Sequence, residues 1–295
     1  MNTEEMNNST VNFITTETST NSTTQPSIGL IDLVVTCVHS INFLFGLPTH
    51  SYVIWLIITG TGSGVASEFF LLNLSMCETG NCLNCLVSAL TVYLSSLSLL
   101  MVFLQGLILT GRPLFQCLMC VERYLAVVHP VTFLKFKPLR YRVICCTVVW
   151  IIILSSCFYC LFIAMSQNIT VHTWFFSLVF LLFFSIQLFC LVAVLRALKQ
   201  SGPGERGRER GEENHMKRRA FYLILITTVS LAITYVPFTV TGFYIILTQQ
   251  NNDGYWLPGL VCYMLGGFVH PVLYLHRTGK LPLFLKRPAI VYFFH

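Results

Sequence analysis

Residues 174–195 read WFFSLVFLLFFSIQLFCLVAVL and include no charged side chain. About 20 mostly apolar residues are enough for a helix to cross the hydrocarbon core of a bilayer. Because backbone polar groups in lipid must pair within their own segment, this stretch is predicted as a transmembrane helix. Six similar stretches occur, and we number the seven predicted spans in chain order at roughly 30–58, 67–94, 98–128, 143–165, 172–198, 219–247 and 255–276.

The composition indicates a protein that is solvated mainly by lipid. Hydrophobic residues make up 55% of the 295 positions, charged residues make up 10%, and the mean hydropathy is +0.70. A soluble domain carries about a quarter charged residues, so these charges are too few to cover a water-exposed surface. The alternating pattern of a membrane β-barrel is absent. The predicted fold class is therefore an all-α membrane protein, a seven-transmembrane helix bundle.

The basic residues predict how the bundle crosses the membrane. Apart from Arg112 and Arg123, the 18 Lys and Arg lie between spans 3 and 4, between spans 5 and 6, after span 7, or at the adjoining helix ends. Cationic segments stay in the cytoplasm, so the N-terminus is predicted to lie outside. The net charge of +6 is then an orientation signal, and no nucleic-acid partner is expected.

Three regions are predicted along the chain. Residues 1–29 are rich in Thr, Ser and Asn and lack the regions of a signal peptide, so they are predicted as a disordered extracellular tail. Residues 30–276 form the bundle, and residues 277–295 form a short cytoplasmic tail. The polar, Gly-rich segment 199–215 between spans 5 and 6 is also predicted to be disordered.

Glycosylation sequons agree with this orientation. They occur at Asn7, Asn8 and Asn21 in the N-terminal tail and at Asn168 between spans 4 and 5. All four positions fall on the predicted outside, and this agreement is independent of the distribution of Lys and Arg.

The cysteines allow two interpretations. All twelve fall in predicted spans, and the spacing Cys-x-x-Cys occurs at Cys82/Cys85, Cys117/Cys120 and Cys157/Cys160. Metal or redox chemistry is one interpretation. The favoured one is that these thiols pack as small hydrophobes, because residues three apart on an apolar helix need not face a common ligand. No metal or cofactor is therefore expected.

A set of short motifs carries a family resemblance. The end of span 3 reads Glu122-Arg123-Tyr124 and continues Leu125-Ala126-Val127-Val128-His129-Pro130; alone, this acid and Arg could be a boundary ion pair. Further segments are Gly46-Leu47-Pro48, Leu72-Asn73-Leu74-Ser75 with Glu78, Trp150, Tyr235-Val236-Pro237-Phe238 and His270-Pro271-Val272-Leu273-Tyr274. In this order, over residues 30–280, the set resembles rhodopsin-like (class A) G-protein-coupled receptors, most closely the branch of nucleotide, lipid and protease receptors.

The resemblance implies a receptor, not an enzyme, that couples an extracellular ligand to heterotrimeric G proteins. In the family the motif Arg is released on activation and faces the G protein, a role that falls to Arg123. A proline inside a helix removes a backbone hydrogen bond, so spans 6 and 7 are expected to hinge at their prolines. The residues implied in coupling and switching are Glu122, Arg123, Tyr124, Tyr235, Pro237, Pro271 and Tyr274.

The centre of the bundle departs from the family pattern. Where the family holds a sodium ion, this chain has His50, Glu78, Arg112 and His270. Arg112 precedes Arg123 by about three helical turns, so both face the bundle. Because a buried charge needs a partner, we hypothesise that an Arg112–Glu78 ion pair replaces sodium, with the two histidines in the outer shell around that pair. The alternatives are that Arg112 faces another carboxylate or a water chamber, and that the histidines sense protons.

Other departures bear on function. Ser98 stands at the position of the family's outer-disulfide cysteine, and residues 164–174 contain no Cys. Span 5 lacks the family's Pro and Tyr, and Tyr235 replaces the Trp of span 6. Two alternatives to a signalling receptor therefore stay open. One is a non-signalling seven-helix partner or chaperone for other receptors, and the other is a transporter that uses the central polar residues.

Charged residues that are missing from the predicted bundle narrow the classes of ligand. The outer half of the bundle has no Lys or Arg, which disfavours a nucleotide or small carboxylate. Gln105 stands where amine receptors carry an aspartate, and span 7 has no Lys for a retinal Schiff base. A neutral, lipid-like or peptide ligand is expected, or none, with Gln105, Tyr244 and Tyr263 as candidate pocket residues. The alternative for each of them is helix packing. Membrane lipid is the other expected partner.

Overall fold

The structure is a computed structural model of the 295-residue chain. It describes residues 29–60, 68–91, 94–136, 138–166, 169–200, 208–249 and 253–280. The predicted glycosylation residues Asn7, Asn8, Asn21 and Asn168 lie outside the described residues, as does most of the predicted cytoplasmic tail.

Seven helical spans form the bundle within the described residues. Span 1 comprises Leu30–Ile41, a π-helical turn Asn42–Gly46, and Leu47–Ile58. Span 2 is Phe69–Thr91. Span 3 comprises a 3₁₀ turn Ser95–Leu97, Ser98–Gly106, a π-helical turn Leu107–Gly111, and Arg112–Val128. A short helix, Pro130–Phe136, precedes span 4, Leu139–Ser166, and span 5 is Ile169–Gln200. Span 6 is Arg208–Thr248, and span 7 comprises Asp253–Trp256, Leu257–Gly267 and Val269–Arg277.

Span 3 lies at the centre of the bundle. Its two halves pack against spans 2, 4, 5 and 6, while span 7 packs against spans 1 and 6. The end that carries Arg123, Arg142, Arg219 and Arg277 is called the basic end below. The other end carries the start of span 1 and the end of span 6.

Span 2 differs in composition from the other six spans. By length and composition those six are long and apolar enough to cross a membrane, and span 2 is not among them. Its polar side chains explain this: Asn73, Glu78, Asn81 and Asn84 are all buried inside the bundle. Span 2 therefore contributes these four buried polar side chains to the bundle interior.

The disorder predicted for residues 199–215 is wrong at both of its ends. Span 5 continues to Gln200, and residues 208–215 form the first two turns of span 6, which begins at Arg208. Arg, Glu, Met and Lys have high helix propensity and are frequent in residues 208–217, so this polar segment extends the apolar helix that follows.

Prolines distort three of the spans and leave a fourth continuous. The π-helical turns of spans 1 and 3 each end two residues before a proline, Pro48 and Pro113, whose ring clashes with the carbonyl four residues earlier. Span 7 is interrupted at Phe268, three residues before Pro271. Span 6, in contrast, is helical through Pro237. Of the two hinges predicted at prolines, the one in span 7 coincides with a break in the helix. The described part of span 6 has no break at Pro237.

Candidate functional site

The bundle centre contains the ion pair that the sequence predicts between Arg112 and Glu78. Arg112 donates from Nε to Glu78 Oε1 at 2.5 Å and from Nη2 to Oε2 at 2.8 Å. The exposed fractions of the two side chains are 3% and 5%. Two parallel N–H···O bonds between a guanidinium and a carboxylate are the strong, geometrically specific form of ion pair. Spans 2 and 3 are therefore joined by a bidentate pair that is shielded from water.

Span 7 completes the surroundings of Arg112. Its Nη1 donates to the Tyr263 backbone carbonyl at 2.6 Å, and the guanidinium carbon lies 3.8 Å from the centroid of the Tyr263 ring. Gly267 leaves room for this contact, because a Cβ there would lie 3.0 Å from Arg112 Nη2 and 3.4 Å from Glu78 Oε2 and would press both groups aside by a few tenths of an ångström. The cation thus receives a carboxylate, a carbonyl and an aromatic face.

Tyr263, a candidate pocket residue from the sequence, is part of the helix packing around the ion pair. The side chain is buried, its ring packs under Arg112, and its hydroxyl accepts a hydrogen bond from Asn81 Nδ2 at 2.9 Å. Asn81 also donates to Glu78 Oε2 at 3.1 Å, so it bridges the carboxylate and the phenol. Sequence reasoning missed Asn81, although its position three residues after Glu78 places it on the same helix face.

The π-helical turn of span 3 provides an acceptor for two tyrosines. The hydroxyls of Tyr235 and Tyr263 each donate to the Ile108 carbonyl at 3.4 Å. In a π-helical turn this carbonyl would receive the N–H five residues later, but that residue is Pro113, which has none. Tyr235, expected as a switch residue, is buried and joins spans 6 and 3 through this bond.

The two central histidines differ in their hydrogen bonding. His270 hydrogen-bonds Gln116, with Nε2 and Nε2 3.0 Å apart. His50 is buried, and its Nδ1 has no hydrogen-bond partner among the described residues. Neither imidazole is hydrogen-bonded to Arg112 or Glu78 in the described part of the chain, and the expected place of both histidines in the outer shell around the ion pair stays a prediction. Gln116, missed from the sequence, lies one turn after Arg112 on the same face.

A solvent-open cavity lies at the basic end between spans 2, 3, 6 and 7. Its polar lining consists of Glu68, Arg123, Thr227, His270, Tyr274 and Arg277. The cavity thus brings together Arg123, which the resemblance expects to face a G protein, and Tyr274, another of the implied coupling and switch residues.

The acid of the Glu122-Arg123-Tyr124 motif does not pair with its neighbour. Glu122 Oε1 is hydrogen-bonded to Nη2 of Arg142 in span 4. Tyr124 points to the side as well, and its hydroxyl lies 3.0 Å from His129 Nε2. Of the three motif residues, Arg123 alone is among those that line the cavity.

The proposed ligand residues are not brought together. Tyr244 is 43% exposed, and its ring packs edge-on against Tyr255 at 5.2 Å. Gln105 is half-buried on span 3. Within the described residues, no hydrogen bond or ring contact joins Gln105, Tyr244 and Tyr263, so a ligand pocket at these three residues stays a prediction.

The cysteines and other metal-binding groups form no evident metal centre in the described residues. All twelve cysteines lie there and are free, nine of them buried. No group of three or more His, Cys, Asp or Glu in this part of the chain is arranged to hold a metal ion.

Comparison with known proteins identifies the family. The family model described as "7 transmembrane receptor (rhodopsin family)" matches residues 50–274. The chain is 29% identical to the human chemokine XC receptor 1 over 287 residues, covering 86% of this chain and 80% of that receptor. It is 28% identical to the human C-C chemokine receptor type 8 over 44% of this chain and 39% of that receptor. It is 23% identical to the rat uracil nucleotide/cysteinyl leukotriene receptor over 71% of this chain and 66% of that receptor. With its membrane-spanning helices and a buried polar centre, the chain belongs to the rhodopsin family of seven-transmembrane receptors and is a multi-pass protein of the plasma membrane.

Proposed function

We propose that this receptor transmits the binding of an extracellular ligand to heterotrimeric G proteins. The observation that carries the proposal is the cavity at the basic end, where Arg123 and Tyr274 face the same space. A partner helix or loop that entered there would meet a guanidinium and a phenol. The proposed coupling and switch residues are Glu122, Arg123, Tyr124, Tyr235, Pro237, Pro271 and Tyr274.

The proposal requires the basic end to face the cytoplasm. Residues 1–29 are then an extracellular, glycosylated tail, residues 30–276 the bundle and residues 277–295 the cytoplasmic tail. The concentration of Lys and Arg between spans 3 and 4, between spans 5 and 6 and after span 7 supports this orientation.

Among the ligand classes left open by the sequence, we favour a peptide. The relatives named chemokine XC receptor 1 and C-C chemokine receptor type 8 support this class. Residues 1–28 contain Glu4, Glu5 and Glu17 and neither Lys nor Arg, so a cationic peptide would match the charge of this tail.

The ion pair does not fit a sodium ion at the bundle centre. Both oxygens of Glu78 accept hydrogen bonds from Arg112, and a guanidinium already supplies positive charge there. A second cation would meet electrostatic repulsion and a carboxylate with its oxygens engaged. We therefore infer that Arg112 takes the place that sodium holds in the family.

Formation of a complex with a G protein tests the function directly. Membranes from cells that express the chain with each class of heterotrimeric G protein are depleted of nucleotide, and the co-purified Gα is measured. We expect one class to co-purify with the wild-type receptor and to be lost with Arg123→Ala. Arg140→Ala is the matched control, because Arg140 is exposed and stacks on Tyr141. Equal surface expression is confirmed for each variant, and failure of every class to co-purify would refute coupling.

The second candidate is a non-signalling partner or chaperone for other receptors. The observation that favours it is the clamp at the centre, where Arg112 holds Glu78 of span 2 and the Tyr263 carbonyl of span 7 together. A centre fixed in this way resists rearrangement of spans 2, 3 and 7. This candidate predicts no G-protein complex, and it predicts higher surface expression of co-expressed receptors with wild type and Arg123→Ala alike.

A further inference from the structure

The surroundings of Arg123 contain carboxylates, yet none of them pairs with it. Among the described residues, no carboxylate forms an ion pair or hydrogen bond with Arg123. Two carboxylates lie close by: Glu122 is its neighbour in sequence, and Glu68 lines the same cavity. Each of these carboxylates is bound to a different arginine.

Glu122 is bound by Arg142. The two side chains form an ion pair and are 14% and 8% exposed, so the contact is largely shielded from solvent. Successive residues of a helix point about 100° apart, because one turn holds 3.6 residues. Glu122 therefore faces span 4 while Arg123 faces the cavity. Arg142 is also fixed by the Phe70 ring, whose centroid lies 6.0 Å from the guanidinium carbon.

Glu68 is bound by Arg277. Arg277 Nη1 donates to Glu68 Oε1 at 2.9 Å, which joins the start of span 2 to the end of span 7. The Glu68 side chain is 5% exposed and the Arg277 side chain is 33% exposed. Because Glu68 faces the cavity, its release would place a buried carboxylate on the same surface as Arg123.

We propose that Arg142 and Arg277 are positioning residues that hold both carboxylates away from Arg123, so that the receptor activates G proteins without a ligand. A guanidinium held by a carboxylate must lose that partner before it can contact a G protein. In this receptor no carboxylate among the described residues holds Arg123, so the guanidinium has no such partner to lose. The inference rests on the proposed function, and it adds the mechanism by which the coupling residue is made available.

Nucleotide exchange on purified G protein, measured in membranes without ligand, tests the inference. We expect wild type to accelerate exchange above empty membranes, and Arg142→Leu to lower this rate about five- to tenfold, at the low end of the range for coupled sites. The loss follows because the freed Glu122 has Arg123 as its next cation. Arg277→Leu is expected to act in the same direction through Glu68. Arg142→Lys keeps the positive charge and should retain most of the rate, and Arg140→Leu is the control at an exposed arginine.

Removal of the freed carboxylate separates a positioning role from a structural one. If Arg142→Leu acts by releasing Glu122 onto Arg123, the added change Glu122→Gln should restore exchange to at least half of the wild-type rate. A merely misfolded Arg142→Leu receptor would not be rescued. The pair Arg277→Leu and Glu68→Gln provides the same comparison on the other side of Arg123.

The outcomes distinguish failure of the inference from failure of the proposed function. If Gα co-purifies with wild type and not with Arg123→Ala, but ligand-free exchange equals that of empty membranes, coupling stands and the inference is overturned. Exchange by Arg142→Leu and Arg277→Leu at the wild-type rate, or a lack of rescue in both double variants, also overturns it. If no Gα co-purifies and exchange is absent, the proposed function fails and the inference fails with it.

Discussion

Replacing Glu78 with glutamine would measure how strongly the central ion pair supports the bundle. The change conserves shape but removes the negative charge, which leaves Arg112 buried with only the Tyr263 carbonyl, the Tyr263 ring and a neutral amide. Removing one partner of a buried pair costs about 3–5 kcal/mol, because the other charge is left uncompensated. The Arg112 and Glu78 side chains are 3% and 5% exposed, so the cost expected for a buried ion pair applies to them.

The expected loss should appear as a large fall in melting temperature. For a chain of this order of size, 1 kcal/mol corresponds to about 2–4 °C, so Glu78→Gln should lower the apparent melting temperature by about 6–20 °C. A thiol-reactive dye suits the measurement, because nine buried free cysteines become accessible on unfolding. Tyr244→Phe, at a side chain that is 43% exposed, is the control and should change the melting temperature little.

A double-mutant cycle decides whether the two residues act as a unit. Arg112→Met should be as destabilising as Glu78→Gln, because it leaves the carboxylate with Asn81 as its remaining hydrogen-bond donor. The double variant carries no buried charge, so it should be more stable than the sum of the single losses predicts, by at least about 2 kcal/mol. Strictly additive losses, or a Glu78→Gln receptor as stable as wild type, would refute the assignment of a strong buried pair.

Three further predictions concern the centre, the packing and the orientation. Exchange of sodium chloride for choline chloride at equal concentration should leave the melting temperature unchanged, and a specific stabilisation by sodium would contradict the ion-pair replacement. Gly106→Ala should reduce surface expression strongly, because a Cβ there would clash with the Cys157 backbone. Gly80→Ala is the control, because its Cβ would meet only the end of the flexible Leu107 side chain. Equal expression of the two variants would disprove the close approach of spans 3 and 4. An epitope tag before residue 1 should be labelled on intact cells, and labelling of a tag at residues 201–207 from outside would reverse the orientation.

The sequence was sufficient to predict the spans and the central pair. Apolar length accounts for six of the spans, span 2 is too polar to qualify by this criterion, and the predicted ranges overlap all seven observed helices. The ion pair followed from two facts about the chain: Arg112 shares a helix face with Arg123, and a charge inside a membrane bundle needs an opposite partner. Glu78 on span 2 was the favoured partner, although another carboxylate or a water chamber stayed open from the sequence.

The remaining site residues depend on how neighbouring helices are rotated and on local distortions. Periodicity assigns Glu122 to a helix face, but the rotation of span 4 decides that Arg142 meets it. The sequence indicates how far along span 7 Tyr263 lies, but not which way its side chain points. The structure shows that the ring packs under Arg112. The acceptor at Ile108 exists because a π-helical turn precedes Pro113, and single-sequence patterns do not reveal such turns.

The close approach at Gly267 gives a criterion for sorting related receptors. A guanidinium in the middle of the bundle needs an acid as its partner, here on span 2, and glycine at position 267 of span 7 favours the pair, since a Cβ there would crowd both Arg112 and Glu78. These three positions should therefore change together across relatives. A chain with Arg, Glu and Gly at the matching places would share this self-neutralised centre, and a chain that carries Arg there beside a bulkier span 7 residue would need a different arrangement of its helices.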